Sequence, residues 1–133
     1  MTKKPETVKR KYLYYHSDGF YYKIKTKEVP FTGISEEFYR RSFFEIILRK
    51  KPKLRIQKHW KNGKLHGPFE EFYENGQLEC KGNWKDGYKH DGLWEYYHED
   101  GQLWARENYK NGKREGLVES FYDADLERDE IPF

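Results

Sequence analysis

Five Asn-Gly or Asp-Gly steps, at Asn62-Gly63, Asn75-Gly76, Asp86-Gly87, Asp100-Gly101 and Asn111-Gly112, cut the second half of this chain into short segments. These steps are the strongest local hairpin signals. Tight two-residue turns need positive φ at both central positions, which Asn, Asp and Gly tolerate best. The spacing therefore predicts a succession of two-residue β-hairpins.

Three of the turns belong to a repeated unit. Trp60-Lys61-Asn62-Gly63, Trp84-Lys85-Asp86-Gly87 and Tyr109-Lys110-Asn111-Gly112 lie 24 and 25 residues apart. Each leads to an aromatic pair, aligned by sequence as Phe72-Tyr73, Tyr96-Tyr97 and Phe121-Tyr122. A fixed period of this size marks a repeat architecture in which neighbouring units bury one another's apolar faces.

Between the turns the pattern has period two. Leu78, Cys80, Gly82 and Trp84 alternate with Glu79, Lys81 and Asn83; Leu54, Ile56 and Trp60 share that parity, as do Leu103, Ala105 and Tyr109, with Glu107 breaking it. The fold expected is all-β, a single elongated, twisted antiparallel meander sheet. Aromatic residues are 19% of the chain, more than half of its 35% hydrophobic content. Tyr and Trp suit half-exposed surfaces, so a thin structure stabilised by cross-strand ring pairs is expected.

Upstream the repeat persists in degraded form over residues 11–56. Phe31-Thr32-Gly33-Ile34-Ser35-Glu36-Glu37-Phe38-Tyr39 parallels Leu65-His66-Gly67-Pro68-Phe69-Glu70-Glu71-Phe72-Tyr73. Between Tyr39 and Trp60 about ten residues are extra by comparison with Tyr73 to Trp84. This insertion, with Phe43-Phe44-Glu45-Ile46-Ile47-Leu48, is expected to lengthen the strands around a turn at Pro52; a short helix over 40–49 is the alternative. The chain is expected to form one domain, with clear repeats over 57–123 and an acidic tail over 124–133.

The units N-G-K-L-H-G-P-F-E-E-F-Y-E-N-G-Q-L and D-G-Y-K-H-D-G-L-W-E-Y-Y-H-E-D-G-Q-L resemble the variant MORN repeat of bacterial proteins, many of which carry an antitoxin label. The resemblance covers 57–123 well and 18–40 loosely. It implies MORN-like β-hairpin repeats stacked into one elongated sheet without catalytic residues. The chain departs from the pattern at its insertion and in the spacing of His90-Asp91-Gly92, and it lacks the glycine density of eukaryotic MORN repeats.

Charge is strongly polarised. Residues 1–67 hold 18 Lys/Arg against 6 Asp/Glu, and residues 68–133 hold 8 against 17, within an overall +3. Arg49, Lys50, Lys51, Lys53, Arg55, Lys58, Lys61 and Lys64 form a run without an acid, the candidate basic partner site. Glu119, Asp123, Asp125, Glu127, Asp129 and Glu130 form an acidic counterpart. Trp60, Trp94, Tyr96 and Trp104, of the types that dominate interface hot spots, are the candidate aromatic contacts, with Trp94, Tyr96 and Trp104 expected to be exposed.

Enzyme chemistry finds no footing in the sequence. No serine lies in a G-x-S-x-G context, Cys80 is the single cysteine, and adjacent glutamates such as Glu70 and Glu71 point to opposite faces of a strand. The five histidines have no ligand-like company, so neither metal nor cofactor is expected. The lone cysteine, the charged amino terminus and the lack of a long apolar run predict a cytoplasmic location.

The function expected is that of a non-catalytic protein-binding repeat protein, an antitoxin or immunity protein that sterically neutralises a toxin or effector. The alternative is an anionic-surface module that uses residues 49–64 on membrane headgroups or nucleic acid. Self-association through open sheet edges is a third expectation.

Overall fold

A computed structural model describes residues 4–15, 19–23, 26–89, 92–115 and 119–120. The chain begins with β1 (Thr7–Lys9), a 3-10 turn (Arg10–Tyr12), β2 (Leu13–Tyr15), β3 (Tyr21–Lys23), β4 (Thr26–Pro30) and β5 (Gly33–Phe38). A short helix α1 (Phe43–Ile47) precedes β6 (Leu54–Lys61), β7 (Lys64–Phe72), β8 (Leu78–Lys85) and β9 (Tyr88–Lys89). The remaining described strands are β10 (Gly92–Tyr97), β11 (Leu103–Lys110), β12 (Lys113–Arg114) and β13 (Glu119–Ser120).

The main sheet is an open array of hairpins in the order β1-β5-β6-β7-β8-β10-β11-β12, with β9 added to β8 and β13 to β11. It is antiparallel throughout except where β1 joins β5 in parallel. The expected meander is therefore present, with two additions. One is the parallel edge strand; the other is a separate three-stranded sheet, β2-β3-β4.

The turns divide into two kinds. Asn62-Gly63, Asp86-Gly87 and Asn111-Gly112 have positive φ at both residues and make the two-residue hairpins expected. At Asn75-Gly76 and Asp100-Gly101 only the glycine has positive φ. There Tyr73 N–H donates to Gln77 O and His98 N–H to Gln102 O, closing three-residue loops. Asn75 Oδ1 and Asp100 Oδ1 accept from the Gln77 and Gln102 N–H groups at 2.9 Å, so each loop satisfies its backbone with its own side chain.

Register repeats from hairpin to hairpin. Gly33 faces Trp60, Gly67 faces Trp84 and Gly92 faces Tyr109, and each pair of strands slips once near its far end. After the slip Phe38 faces Leu54, Phe72 faces Leu78 and Tyr97 faces Leu103. The structural equivalents of Phe72-Tyr73 are thus Tyr97-His98, one residue beyond the pair aligned by sequence. The extra residue near His90-Asp91 moves the count.

Alternation sorts the side chains onto two faces. Ser35, Ile56, Trp60, Phe69, Cys80, Gly82, Trp84, Trp94, Ala105 and Tyr109 share one face by their pairing. Phe69, Trp84 and Tyr109 surround Trp94 at ring-centre distances of 5.5 to 6.4 Å. Gly82 is what lets the Trp94 indole lie against the backbone, since a methyl group there would clash with the ring. The opposite face carries a polar row, Lys9-Glu36-Gln57-Glu70-Lys81-Glu95-Arg106, in continuous register across the strands.

The small sheet caps one end of the apolar face. Leu13, Phe31 and Trp60 form a buried cluster flanked by Val8, Tyr21 and Leu65. Trp60 Nε1 donates to Ser35 Oγ at 2.7 Å, which satisfies both buried polar groups. The Asn62-Gly63 turn is clamped by backbone bonds, Gly63 N–H to Phe31 O and Tyr21 N–H to Gly63 O.

Candidate interaction surface

Strands β5, β7 and β10 run in the same direction, so the loops that follow them line up along one edge of the main sheet. Two of those loops are short and joined, with Asn75 Nδ2 donating to Glu99 O at 2.8 Å. The third, between β5 and β6, spans residues 39–53 and stands beyond the others. Tyr39 fastens its base by donating from Oη to Phe72 O at 2.6 Å, and Tyr39 N–H donates to Lys53 O.

The long loop folds as a capped turn of helix. This corrects the lengthened strands expected over the insertion and bears out the alternative, a short helix within 40–49. Ser42 Oγ accepts from Glu45 N–H and the Glu45 carboxylate accepts from Ser42 N–H, a complete capping box at the start of α1. At the other end Lys50 N–H donates to Glu45 O and Arg49 N–H to Ile46 O, with Arg49 at φ 51°. This is the paired closure of a Schellman motif, with arginine at the position glycine usually takes. Arg41 Nη1 donates to Lys50 O and ties the two stems together. The capping bonds, backbone first, hold the Glu45 carboxyl below the usual carboxylate range.

Local hydrogen bonding outweighs the β propensity of Phe, Ile and Leu here. The consequence is an unusual surface: Phe43 (71%), Phe44 (73%), Ile46 (53%), Ile47 (58%) and Leu48 (65%) are all exposed. Their spacing covers most of the helix circumference, leaving the remaining side to Glu45. Arg40, Arg41, Arg49, Lys50, Lys51 and Lys53 are exposed on the two stems. Lys53 Nζ lies 3.9 Å from Glu45.

The basic run is not one patch. Arg49, Lys50, Lys51 and Lys53 belong to the α1 loop, where Arg40 and Arg41 join them. Lys61 and Lys64 lie at the far hairpin tip, separated by the length of β6, about 23 Å at ~3.3 Å per residue. Between them Arg55 sits over the Tyr39 ring at 5.9 Å and Lys58 pairs with Glu37 at 3.6 Å. Lys64 Nζ lies 5.1 Å from the Phe20 ring centre.

The aromatic candidates also separate. Trp60 (5% exposed) and Trp94 (2%) are core residues, which corrects the expectation that they face a partner. Tyr96 and Trp104 are half-buried, with rings 5.7 Å apart, and Tyr96 Oη donates to Glu107 at 3.2 Å. Of the acidic candidates, Glu119 is paired through its backbone with Arg106 in β13. Asp123, Asp125, Glu127, Asp129 and Glu130 lie outside the described residues, as does Phe121-Tyr122.

Sequence reasoning passed over Phe43, Phe44, Ile47 and Leu48 as surface residues, and Arg40 and Arg41 as members of the basic cluster. The signal was present as Ser42-x-x-Glu45 ahead of an apolar run, the pattern of a capping box.

Two other features complete the electrostatics. Burial, reinforced by the Glu79 carboxylate, raises the Glu71 pKa above the usual carboxylate range, with Arg55 opposing. Burial likewise raises the Tyr39, Tyr73 and Tyr97 phenols. Among the described residues no His, Cys, Asp or Glu side chains gather in a group of three that could hold a metal ion. A shallow open groove of about 330 Å³ runs past Tyr21, Gly63, Leu65, Gly87 and Tyr88.

An open sheet of stacked hairpins, with its charged and apolar groups displayed along faces and loops, is the architecture of an all-β repeat protein. Residues 65–86 and 91–111 match the family model of the MORN repeat variant. The matched segments run along β7-β8 and β10-β11 as far as the next turn, so each corresponds to one hairpin of the sheet. MORN repeats often mediate binding and are generally non-catalytic. No curated protein and no solved structure matches the chain.

Proposed function

We propose that this chain is a non-catalytic protein-binding module whose repeats build a rigid platform and whose α1 loop makes the contact. The observation that carries this reading is the exposure of five large apolar side chains on a loop whose helix is capped by hydrogen bonds at both ends. Exposed apolar residues in a contiguous group mark interaction sites, and a preorganised loop loses little conformational freedom on binding.

The biological form we favour is steric neutralisation of a toxin or effector, as an antitoxin or immunity protein. The polarity between the basic and acidic halves supports it, because complementary charge speeds association and selects the partner. Co-expression with the product of the neighbouring gene tests it. A stable complex by size-exclusion chromatography with light scattering, together with relief of toxicity, is expected. Neither complex nor relief would remove the proposal.

A second reading, binding to an anionic surface, draws on the six cations of the α1 loop. It expects salt-sensitive binding to anionic vesicles or oligonucleotides that is lost in a K50A/K51A/K53A variant. The exposed Glu74, Glu99 and Asp100 on the neighbouring loops weigh against it, since they share the edge that would approach the surface.

A further inference from the structure

We infer that α1 is an anchor for a hydrophobic pocket with acidic walls on a partner protein, and that it enters that pocket end-on. The inference rests on the protein-binding reading above and adds the shape and the chemistry of the surface that receives α1. Phe43 and Ile47, and Phe44 and Leu48, are each four residues apart and line up in two adjacent rows along the helix. Ile46 lies beside the first row. No single flat face covers all five side chains, so the receiving surface must surround the tip. A protein pocket does this.

Charge defines the walls of that pocket. Arg40 and Arg41 lead into the helix and Arg49, Lys50 and Lys51 lead out of it, all exposed. Glu45, the one acid within the helix, has its carboxylate turned back onto the Ser42 N–H. Cations thus ring the base of an apolar tip, and carboxylates at the mouth of the pocket complement them. The adjoining loops are of opposite sign, with Glu74, Glu99 and Asp100 exposed along the same edge. A uniformly anionic bilayer pressed against this edge would meet repulsion there. A protein surface can vary its charge along the edge to match.

The loop is built to hold this shape without a partner. The capping box, the Schellman closure, the Arg41–Lys50 bond and the Tyr39–Lys53 bond close it at four levels. The unusual left-handed Arg49 keeps a cation where glycine would serve the backbone better, which fits a requirement for positive charge at the base of the tip.

Site-specific photocrosslinking of the full chain in the cells that encode it tests the inference. p-Benzoylphenylalanine is placed at Phe44 in one variant and at Lys61, on the opposite edge of the sheet, in another, and the acceptor residue of each adduct is mapped by mass spectrometry. The expected result is a protein adduct from position 44 whose acceptor lies among apolar residues flanked by Asp or Glu. That adduct is lost when Arg41, Lys50 and Lys51 are changed to Glu. With the partner so identified, Phe44→Ala weakens binding by roughly 30-fold, the scale of an interface hot spot. Adducts from position 61 alone would overturn the inference and the α1 contact while leaving protein binding through another surface in place. Lipid adducts from position 44, or adducts to a second copy of this chain, would overturn it in favour of those occupants. No protein adduct from either position would overturn both.

Discussion

Tyr73 donates a 2.6 Å hydrogen bond from Oη to the carbonyl of Tyr97, and Tyr39 makes the same 2.6 Å bond to the carbonyl of Phe72 one repeat earlier. The second aromatic of each hairpin therefore clasps the first aromatic of the next. In the third hairpin the equivalent position is His98, whose ring instead packs 6.2 Å from Trp104. These bonds couple successive repeats in addition to the strand ladder, the Asn75–Glu99 bond and the ring contacts around Trp94.

Tyr73→Phe and Tyr39→Phe keep the ring and remove the clasp. Each is expected to lower stability by about 1 kcal/mol, the usual net contribution of one such bond. Urea denaturation of the single and double variants measures it. The acceptor of Tyr39, Phe72 O, adjoins Tyr73, so a departure of the double variant from the sum of the single losses is expected and measures their coupling.

Gly82 gives a different kind of failure. Gly82→Ala forces a methyl into the Trp94 indole and is expected to cost about 1–3 kcal/mol by overpacking, with a change in tryptophan near-ultraviolet dichroism. Gly76→Ala meets no neighbouring atom and suffers only from its φ of 88°, about 1–2 kcal/mol, without that spectral change. Comparing spectrum with stability separates packing from backbone strain.

The Glu71 pKa is raised in the folded chain, so protonated Glu71 is favoured on folding. Its contribution is present below the unfolded carboxylate value and is lost as pH rises through the higher folded value. Glu71→Gln is therefore expected to stabilise the protein at about pH 7, with the gain shrinking as pH falls towards about 4. Urea midpoints measured across that range check the sign.

Arg49→Gly relieves a left-handed non-glycine residue at the end of α1. Because the loop can open without the sheet, the effect belongs to local stability. Slower hydrogen exchange at the Lys50 amide, which donates to Glu45 O, is the expected outcome, with the global denaturation midpoint nearly unchanged.

The sheet was legible because its signals are local and repeated. Asn62-Gly63 and its two counterparts can close two-residue hairpins, and the parity of Cys80, Gly82 and Trp84 assigns a face directly. Asn75-Gly76 uses the same dipeptide for a different loop, since the choice depends on the Asn75 side chain and on strand register. The burial of Trp60 and Trp94 was not legible. Trp60 is covered by a small sheet built from a distant segment, and Trp94 by rings on three other strands. The α1 loop is ambiguous in sequence for the opposite reason: composition favours strand over the alternative short helix, and Ser42 and Glu45 decide for the helix with two hydrogen bonds.

In the proposed arrangement the platform and the contact are separable. Replacing the β5–β6 connection with the three-residue loop Glu74-Asn75-Gly76 of the next repeat would remove α1 while preserving the register of Phe38 with Leu54. Binding of this variant to the identified partner, measured by isothermal titration calorimetry beside the intact chain, is the most direct test. A variant with the same β-sheet dichroism and no detectable binding is the expected result. Binding retained at the affinity of the intact chain would show that α1 is not the contact.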